Sequence, residues 1–370
     1  VLPRPGAPSP PSSGPSVLVV TVDGLGADAV PAELTALTAG GVTFTDAVTP
    51  TPAGRPANAA VLTGVHPLRN GVLTERDRLS RAFPTLFEAL ATAGWDTGAF
   101  VSTATVDRRS GLAQGFRTFD DGWTGAQDAA VARIGLGLFT RAADPLRIGR
   151  WSAREDRATA SAFARWASHR DTPWAAWVHL SDPHRVALGA LGQSTLAEAA
   201  ATLRTALDPA VMLVVVGTHG ELPGGRGNAT LADGVVHVPL AVRPPTALPA
   251  PAVVGAQVRT LDVAATVLDA LDVDAGTETE GLPLAGYATG ARQVSLSCSL
   301  VGQDLDGGWL VGLRADRVKV ITGPGDAARL YLLDEDPAEA VDRSAEQPGV
   351  MAQARGAIAA DRAALDARLR

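Results

Sequence analysis

The chain has 370 residues, 46% hydrophobic and 19% charged, with a formal net charge of −7. That length allows a large core, and an acidic balance without blocks of like charge excludes nucleic acid as a partner, since phosphate binding needs a concentrated basic face. One cysteine, Cys298, excludes an intrachain disulfide and a thiolate zinc cluster; inside "VSLSCSL" it is expected to be a buried small residue.

Residues 1–16, "VLPRPGAPSPPSSGPS", are rich in Pro, Ser and Gly and read as a disordered or polyproline-like tether. Such a segment often follows a cleaved signal peptide or an anchor. The expected setting is therefore an exported protein: periplasmic, at the cell surface, or tethered to a membrane by a preceding segment. "VLVVTV", Val17 to Val22, is a continuous β-branched run of the kind buried on both faces of a parallel sheet, and it ends at Asp23-Gly24. A helix is predicted near residues 31–39, a strand in "GVTFTDAV", a helix in "PTLFEALATAGW" and a strand in "DTGAFVS". Residues 103–150 read as irregular.

The rhythm then resumes. "REDRATASAFARWASH" is a predicted helix and "PWAAWVHL" a strand, followed by a loop, "SDPHR". "STLAEAAATLRTAL" is a helix, "VMLVVVGTHG" a buried strand, "VVHVPLAVR" a strand and "TLDVAATVLDALDV" a helix. This alternation predicts a mostly parallel, doubly wound α/β core over residues 17–289. Residues 290–370 are expected to form a small antiparallel sheet of four short strands plus a helix that starts at Pro348. No apolar run reaches the ~20 residues of a membrane-spanning helix, so no transmembrane segment is expected.

In an open α/β sheet, ligands sit beyond the carboxyl ends of the strands. Asp23 follows the first strand, Asp182 and His184 follow "WVHL", and Thr218, His219 and Glu221 follow "MLVVVG". A carboxylate and imidazoles gathered there could bind a divalent cation. The competing reading makes Asp23 a turn cap and His219 a hydrogen-bonded core histidine. Ser181, Asp182 and His184 contain nucleophile, acid and base types, but crowded onto one loop they make a poor triad, whose members must converge from separate elements. His66, His169, His179 and His237 are expected to play structural roles.

Several segments resemble the sulfatases of the alkaline-phosphatase-like superfamily, in family order. "VLVVTVDGLGAD" is similar to their opening strand. "TPTPAGRPANAAVLTGVHPLRNGV" is similar to the signature in which Cys or Ser opens C/S-x-P-x-R before "LLTG". "WVHLSDPHR" resembles an H-x-x-D-P-H segment of one branch, and "VVVGTHGELPGGRGN" the D-H-G-E segment. "RTLDVAATVLDALDV" resembles the helix that follows, and "RLYLLDEDPAEAVDRS" the C-terminal L-Y-D-L-x-x-D-P-x-E element. The resemblance implies the sulfatase fold. It also implies a chemistry in which a formylglycine, made from Cys or Ser at a helix start, attacks an ester polarised by one divalent cation.

Carried over residue by residue, the resemblance implies a degenerate member. Asp23 and His219 match metal ligands. Thr218 stands where a metal-binding aspartate belongs, and a neutral hydroxyl is a weak substitute on a hard cation. Gly54 stands at the nucleophile and Asn58 at an arginine that steadies it. Asn70 replaces a histidine, and the segment after "DPHR" is short. Arg55, His184 and Glu221 complete a vestigial pocket; Arg55, Arg226 and Glu221 also have solvent-facing or local structural readings. The expectation is a sulfatase-like pseudoenzyme that binds or scaffolds. It would carry no cofactor beyond a weakly held divalent cation, and its partner would be an unidentified protein or an anionic ligand. The alternative is a metal-dependent sulfate- or phosphate-ester hydrolase using a metal-activated water.

Overall fold

A computed structural model describes residues 14–122, 153–222, 230–245, 252–276, 279–292 and 295–369. The elements run in the predicted order. β1 (Val17–Asp23) leads to α1 (Ala32–Leu37) and β2 (Val42–Val48), then to α2 (Gly54–Thr63), α3 (Pro67–Asn70) and α4 (Leu86–Thr92). β3 (Asp96–Val101) and β4 (Thr118–Asp120) follow, then α5 (Asp156–Ala167), β5 (Trp174–Leu180), α6 (Asp182–Ala187) and α7 (Leu196–Ala206). β6 (Met212–His219), α8 (Asp233–Val236), β7 (His237–Arg243), β8 (Ala252–Val254), β9 (Val258–Arg259) and α9 (Asp262–Ala270) close the large layer.

The large sheet has the order β4-β3-β5-β1-β6-β7-β2-β8, with β9 also paired to β2. Its pairs are parallel except those of β7, which runs opposite to both β6 and β2. Strand side chains alternate between faces, and the core divides accordingly. Val17 and Val19 of β1 join a cluster containing Ala59 and Leu62 of α2, Phe87 and Leu90 of α4 and Val263 and Val267 of α9. Leu18, Val20 and Val22 join another, with Leu34 and Leu37 of α1, Phe163 of α5 and Leu203 of α7. By the same parity, Thr21 and Asp23 face the α2 side.

A second sheet, antiparallel, has the order of its sequence: β10 (Cys298–Gln303), β11 (Trp309–Ala315), β12 (Val318–Thr322) and β13 (Ala328–Leu332). The terminal helix α10 (Pro348–Leu369) buries Met351, Ala354, Ile358 and Leu365, a stripe spaced three, four and seven residues apart, in a cluster with Val311 and Val320 of this sheet. Arg314 and Lys319 are fully buried and bind this sheet to the large layer. Arg314 pairs with Asp233 at 2.7 Å and Asp46 at 2.8 Å, while Lys319 pairs with Asp233 at 3.4 Å and with Glu339.

Some expectations are corrected. "SDPHR" is not a loop: Asp182 opens α6, because Pro183 suits a first turn and the Asp156 carboxylate accepts from the backbone N–H groups of Ser181 (2.8 Å) and Asp182 (3.0 Å). The strand expected at "VSLSCSL" begins only at Cys298 and continues to Gln303, where pairing with β11 sets its bounds. β8 and β9 are too short to show a periodicity. The last tether residues are held: the Trp95 indole donates to Pro15 O (3.1 Å), and Met212 N donates to Ser16 O (2.9 Å). Residues 1–13, much of 103–150, and Arg226 lie outside the described residues. Cys298 is buried, and burial pushes its thiol up to about 12.

Candidate functional site

Three strand ends converge on the start of α2. β1 ends at Asp23, whose side chain faces α2 by parity. The β1–β6 register shifts between Val22, opposite Gly217, and Asp23, opposite His219. Thr218 is therefore the extra residue of a bulge, a device that re-aims a side chain. Its hydroxyl donates to Asp23 Oδ1 at 2.5 Å. The Asn58 amide, one turn into α2, donates to the same oxygen at 3.3 Å and to Gly54 O at 2.8 Å. Gly54, the first residue of α2, lies against Asp23: a Cβ there would sit 2.7 Å from Asp23 Oδ2.

His179 is the residue sequence reasoning missed. It was assigned a structural role, yet its Nε2 lies 3.3 Å from Asp23 Oδ2 and it is fully buried. The Trp177 indole donates to Thr21 Oγ1 at 2.9 Å, and the same hydroxyl hydrogen-bonds His179 Nδ1, also at 2.9 Å, which fixes the ring with Nε2 towards Asp23. The available signal was parity: His179 lies two residues beyond Trp177 on the same face, opposite Thr21 in register. Burial pushes the Asp23 carboxyl upward. His179 outweighs burial by charge and hydrogen bond, with His219 and His184 behind it, and Asp23 is held well below the usual carboxylate range.

A second group adjoins the first. Gly24 adopts φ +76°, and a Cβ on it would fall 2.4 Å from His184 N, so only glycine lets the β1 turn pass under the start of α6. That approach sets His184 beside His219, ring centroids 5.1 Å apart and perpendicular. His184 Nδ1 hydrogen-bonds Glu221 Oε1, which also lies 3.6 Å from His219 Nδ1. His219 Nδ1 donates to Gly220 O at 2.9 Å, which leaves Nε2 as its free lone pair. Burial lowers the His219 pKa. At His184 burial also acts downward, but the Glu221 hydrogen bond and charge outweigh it and the pKa is raised.

A third carboxylate, Glu75, was not anticipated. Its oxygens accept from Arg55 N, in the first turn of α2, at 3.1 and 3.3 Å. Burial first, and then repulsion from Asp23, raise its pKa. An unpaired helix N–H is where an external oxyanion would bind; here the chain's own carboxylate occupies it. The signal was absent from the sequence, because Glu75 lies in an irregular segment between α3 and α4.

The remaining expected residues lie apart from this centre. The Arg55 side chain turns to backbone oxygens, with Nε donating to Thr105 O (2.5 Å) and an Nη to Asp77 O (2.8 Å). Asn70 closes a local turn, donating to Val65 O (2.9 Å) and accepting from Val72 N (2.9 Å). Asp182 accepts from Asp156 N, Thr195 N and the Thr195 hydroxyl, at 3.2, 2.9 and 2.6 Å, and pairs with Arg185. His66 caps α3, His237 bonds Thr45 O, and His169 bonds Arg165 O at an exposed helix end. A cavity of about 620 Å³ lies elsewhere, between α3, β10 and the end of α10. Its Arg259 is paired to Asp262 and its Arg69 to Glu280.

The donor set at Asp23 does not fit the hard divalent cation that the fold implies. Such an ion takes six or more oxygen ligands, largely carboxylates. Here Asp23 Oδ1 is taken by Thr218 and Asn58, Oδ2 lies 3.3 Å from His179 Nε2, and the bulge residue beside it, Thr218, brings a hydroxyl and no carboxylate.

A sulfatase family model matches residues 15–190, the stretch that holds Asp23, Gly54, Asn58, His179 and His184 and stops before Thr218 and His219. No curated protein matches the chain in sequence. Among solved structures, a 2-O GAG sulfatase (BT1596) is 16% identical with a TM-score of 0.71, covering 96% of this chain and 91% of its own. A phosphonate monoester hydrolase of Agrobacterium radiobacter is 19% identical with a TM-score of 0.70, covering 94% and 95%. A phosphonate monoester hydrolase from Silicibacter pomeroyi is 17% identical with a TM-score of 0.64, covering 92% and 94%. At these identities the structures speak for the fold, and the family model speaks for the lineage. Residues 15–190 thus match the sulfatase family model, and the chain has the fold of these sulfatases and phosphonate monoester hydrolases.

Proposed function

We propose that this chain is a sulfatase-fold pseudoenzyme: it does not hydrolyse esters and acts by binding. One observation carries the reading. The residue at the start of α2, where the sulfatase resemblance expects the nucleophile, is Gly54, and Asp23 Oδ2 lies 2.7 Å from where even a Cβ would sit. An attacking oxygen has neither an atom to grow from nor space to occupy. Two further observations support it. Thr218 and Asn58 tie Asp23 down with hydrogen bonds, and Glu75 occupies the helix N–H that an ester oxyanion would use. The internal carboxylate also disfavours an anionic ligand at this helix start, so of the two partner classes a protein is favoured.

The test is a panel of aryl sulfates, aryl phosphates and phosphonate monoesters, with Mg²⁺, Ca²⁺ or Mn²⁺ supplied. The expected result is no turnover beyond that of Asp23→Ala and His219→Ala controls. Turnover that both substitutions abolish overturns the reading. A second reading, hydrolysis by a metal-activated water, has one observation in its favour: His184, His219 and Glu221 stand close enough to share an ion. The same panel repeated with Zn²⁺ addresses it.

A further inference from the structure

The geometry points to a transition-metal site of the zinc class formed by His184, His219 and Glu221, distinct from the carboxylate cradle at Asp23. One ligand atom from each residue lies within 4.8 Å of the others. A tetrahedral zinc ion with bonds of about 2.0–2.1 Å holds its ligand atoms about 3.3–3.4 Å apart. His184 Nδ1 and Glu221 Oε1 are already in contact, and the 4.8 Å limit on the whole set leaves a contraction that side-chain rotations of rotamer size can supply.

Two independent features favour an ion over a simple ion pair. Glu221 is nine-tenths buried, yet its Oε2 has no hydrogen-bond partner among the described residues. A buried carboxylate oxygen left without a partner is costly, and a cation would relieve that cost. His219 is also oriented as metal-bound histidines are: its Nδ1–H is anchored on Gly220 O, which presents Nε2 as the donor. Two imidazoles and one carboxylate suit a borderline cation and not Mg²⁺ or Ca²⁺, which prefer oxygen. Access is available on the side of His184, whose side chain is 20% exposed. Three protein ligands leave a fourth position for water or for an acceptor group on a bound partner.

The assignment goes beyond the non-hydrolytic reading and does not depend on it. The full chain, stripped with a chelator, is titrated with Zn²⁺ by calorimetry and with Co²⁺ by visible absorption. One ion per chain is expected, with a Co²⁺ spectrum of low coordination number and no displacement by excess Mg²⁺ or Ca²⁺. Glu221→Gln and His184→Gln should each weaken Zn²⁺ binding by roughly 100-fold or more, since even outer-shell losses cost 10–100-fold. Asp23→Asn, which removes a nearby charge but no ligand, should weaken binding far less than either of these. Thermal melts of each variant establish that it is folded. The proposal is overturned by a wild-type chain without saturable binding, by binding that survives both glutamine variants, or by binding lost in Asp23→Asn and kept in Glu221→Gln. Ester turnover by the zinc-loaded chain would sink the pseudoenzyme reading and leave this site standing; absence of zinc binding does the reverse.

Discussion

Two regions of this molecule bury charge, and they do so differently. At the junction of the two sheets, Arg314 and Lys319 are sealed among Asp233, Asp46 and Glu339, with backbone and amide groups taking the remaining donors. At the strand ends, Asp23, Glu75 and Glu221 face His179, His184 and His219, and Glu221 Oε2 is left over. A structural junction tolerates buried ions because each has a fitted partner of opposite sign. The carboxylates of the two regions differ in their partners: a guanidinium and an ammonium at the junction, imidazoles at the strand ends, and imidazoles can also bind a metal or exchange a proton. Asp23, His179 and His184 lie in the stretch that matches the sulfatase family model, and His219 and Glu221 lie beyond it.

The contrast can be broken most forcefully at the junction. Arg314→Met strands two carboxylates, Asp233 and Asp46, and should cost about 3–5 kcal/mol in urea denaturation. A loss below about 1 kcal/mol, within the range of an exposed ion pair, would show that the network is no staple.

At the site, Gly54→Ala has an informative sign. A glycine-to-alanine change in relaxed helix usually stabilises by about 0.4–1 kcal/mol. Here the new methyl meets the Asp23 carboxylate, so a destabilisation of about 1–3 kcal/mol is expected. Stabilisation in the same denaturation assay would mean that the carboxylate moves aside freely and that space for a nucleophile exists.

The pH dependence gives a subtler comparison. Burial first, and then the neighbouring Asp182, raise the Asp156 carboxyl to about 7 from its ordinary value of 3.8. A carboxyl whose folded pKa is raised binds its proton more tightly in the native state. Its contribution is therefore full below about 3.8 and declines as pH rises towards 7. Asp156→Asn should flatten that part of the melting-temperature profile, and an unchanged slope would assign it to other groups. The smallest effect is expected from Glu75→Gln, which keeps an acceptor at Arg55 N and removes a charge that burial and Asp23 disfavour, so urea denaturation should show little change or a slight gain in stability. A clear loss would make Glu75 a structural keystone and not merely an occupant of the anion position.

Much of this architecture was legible in the chain. β1, β5 and β6 are buried apolar runs whose period of two already puts Asp23 and Thr21 on one face. The glycine at position 54 is a matter of residue type and needs no coordinates. The loop reading of 181–185 failed because the Asp156 carboxylate that nucleates α6 lies 25 residues away in sequence. His179 was passed over for the same reason: its partner Thr21 belongs to a strand 158 residues distant.

Side-chain alternation, helix punctuation and the inventory of acids and imidazoles are local properties, and the sequence alone determined them. Which of those groups meet was decided only by the tertiary structure. Strand order brought His179 to Asp23, a one-residue bulge turned Thr218 onto the same carboxylate, and an irregular return of the chain laid Glu75 on the start of α2. The physical reason is that pairing register and loop path depend on contacts between segments far apart in the chain, and no local pattern encodes them.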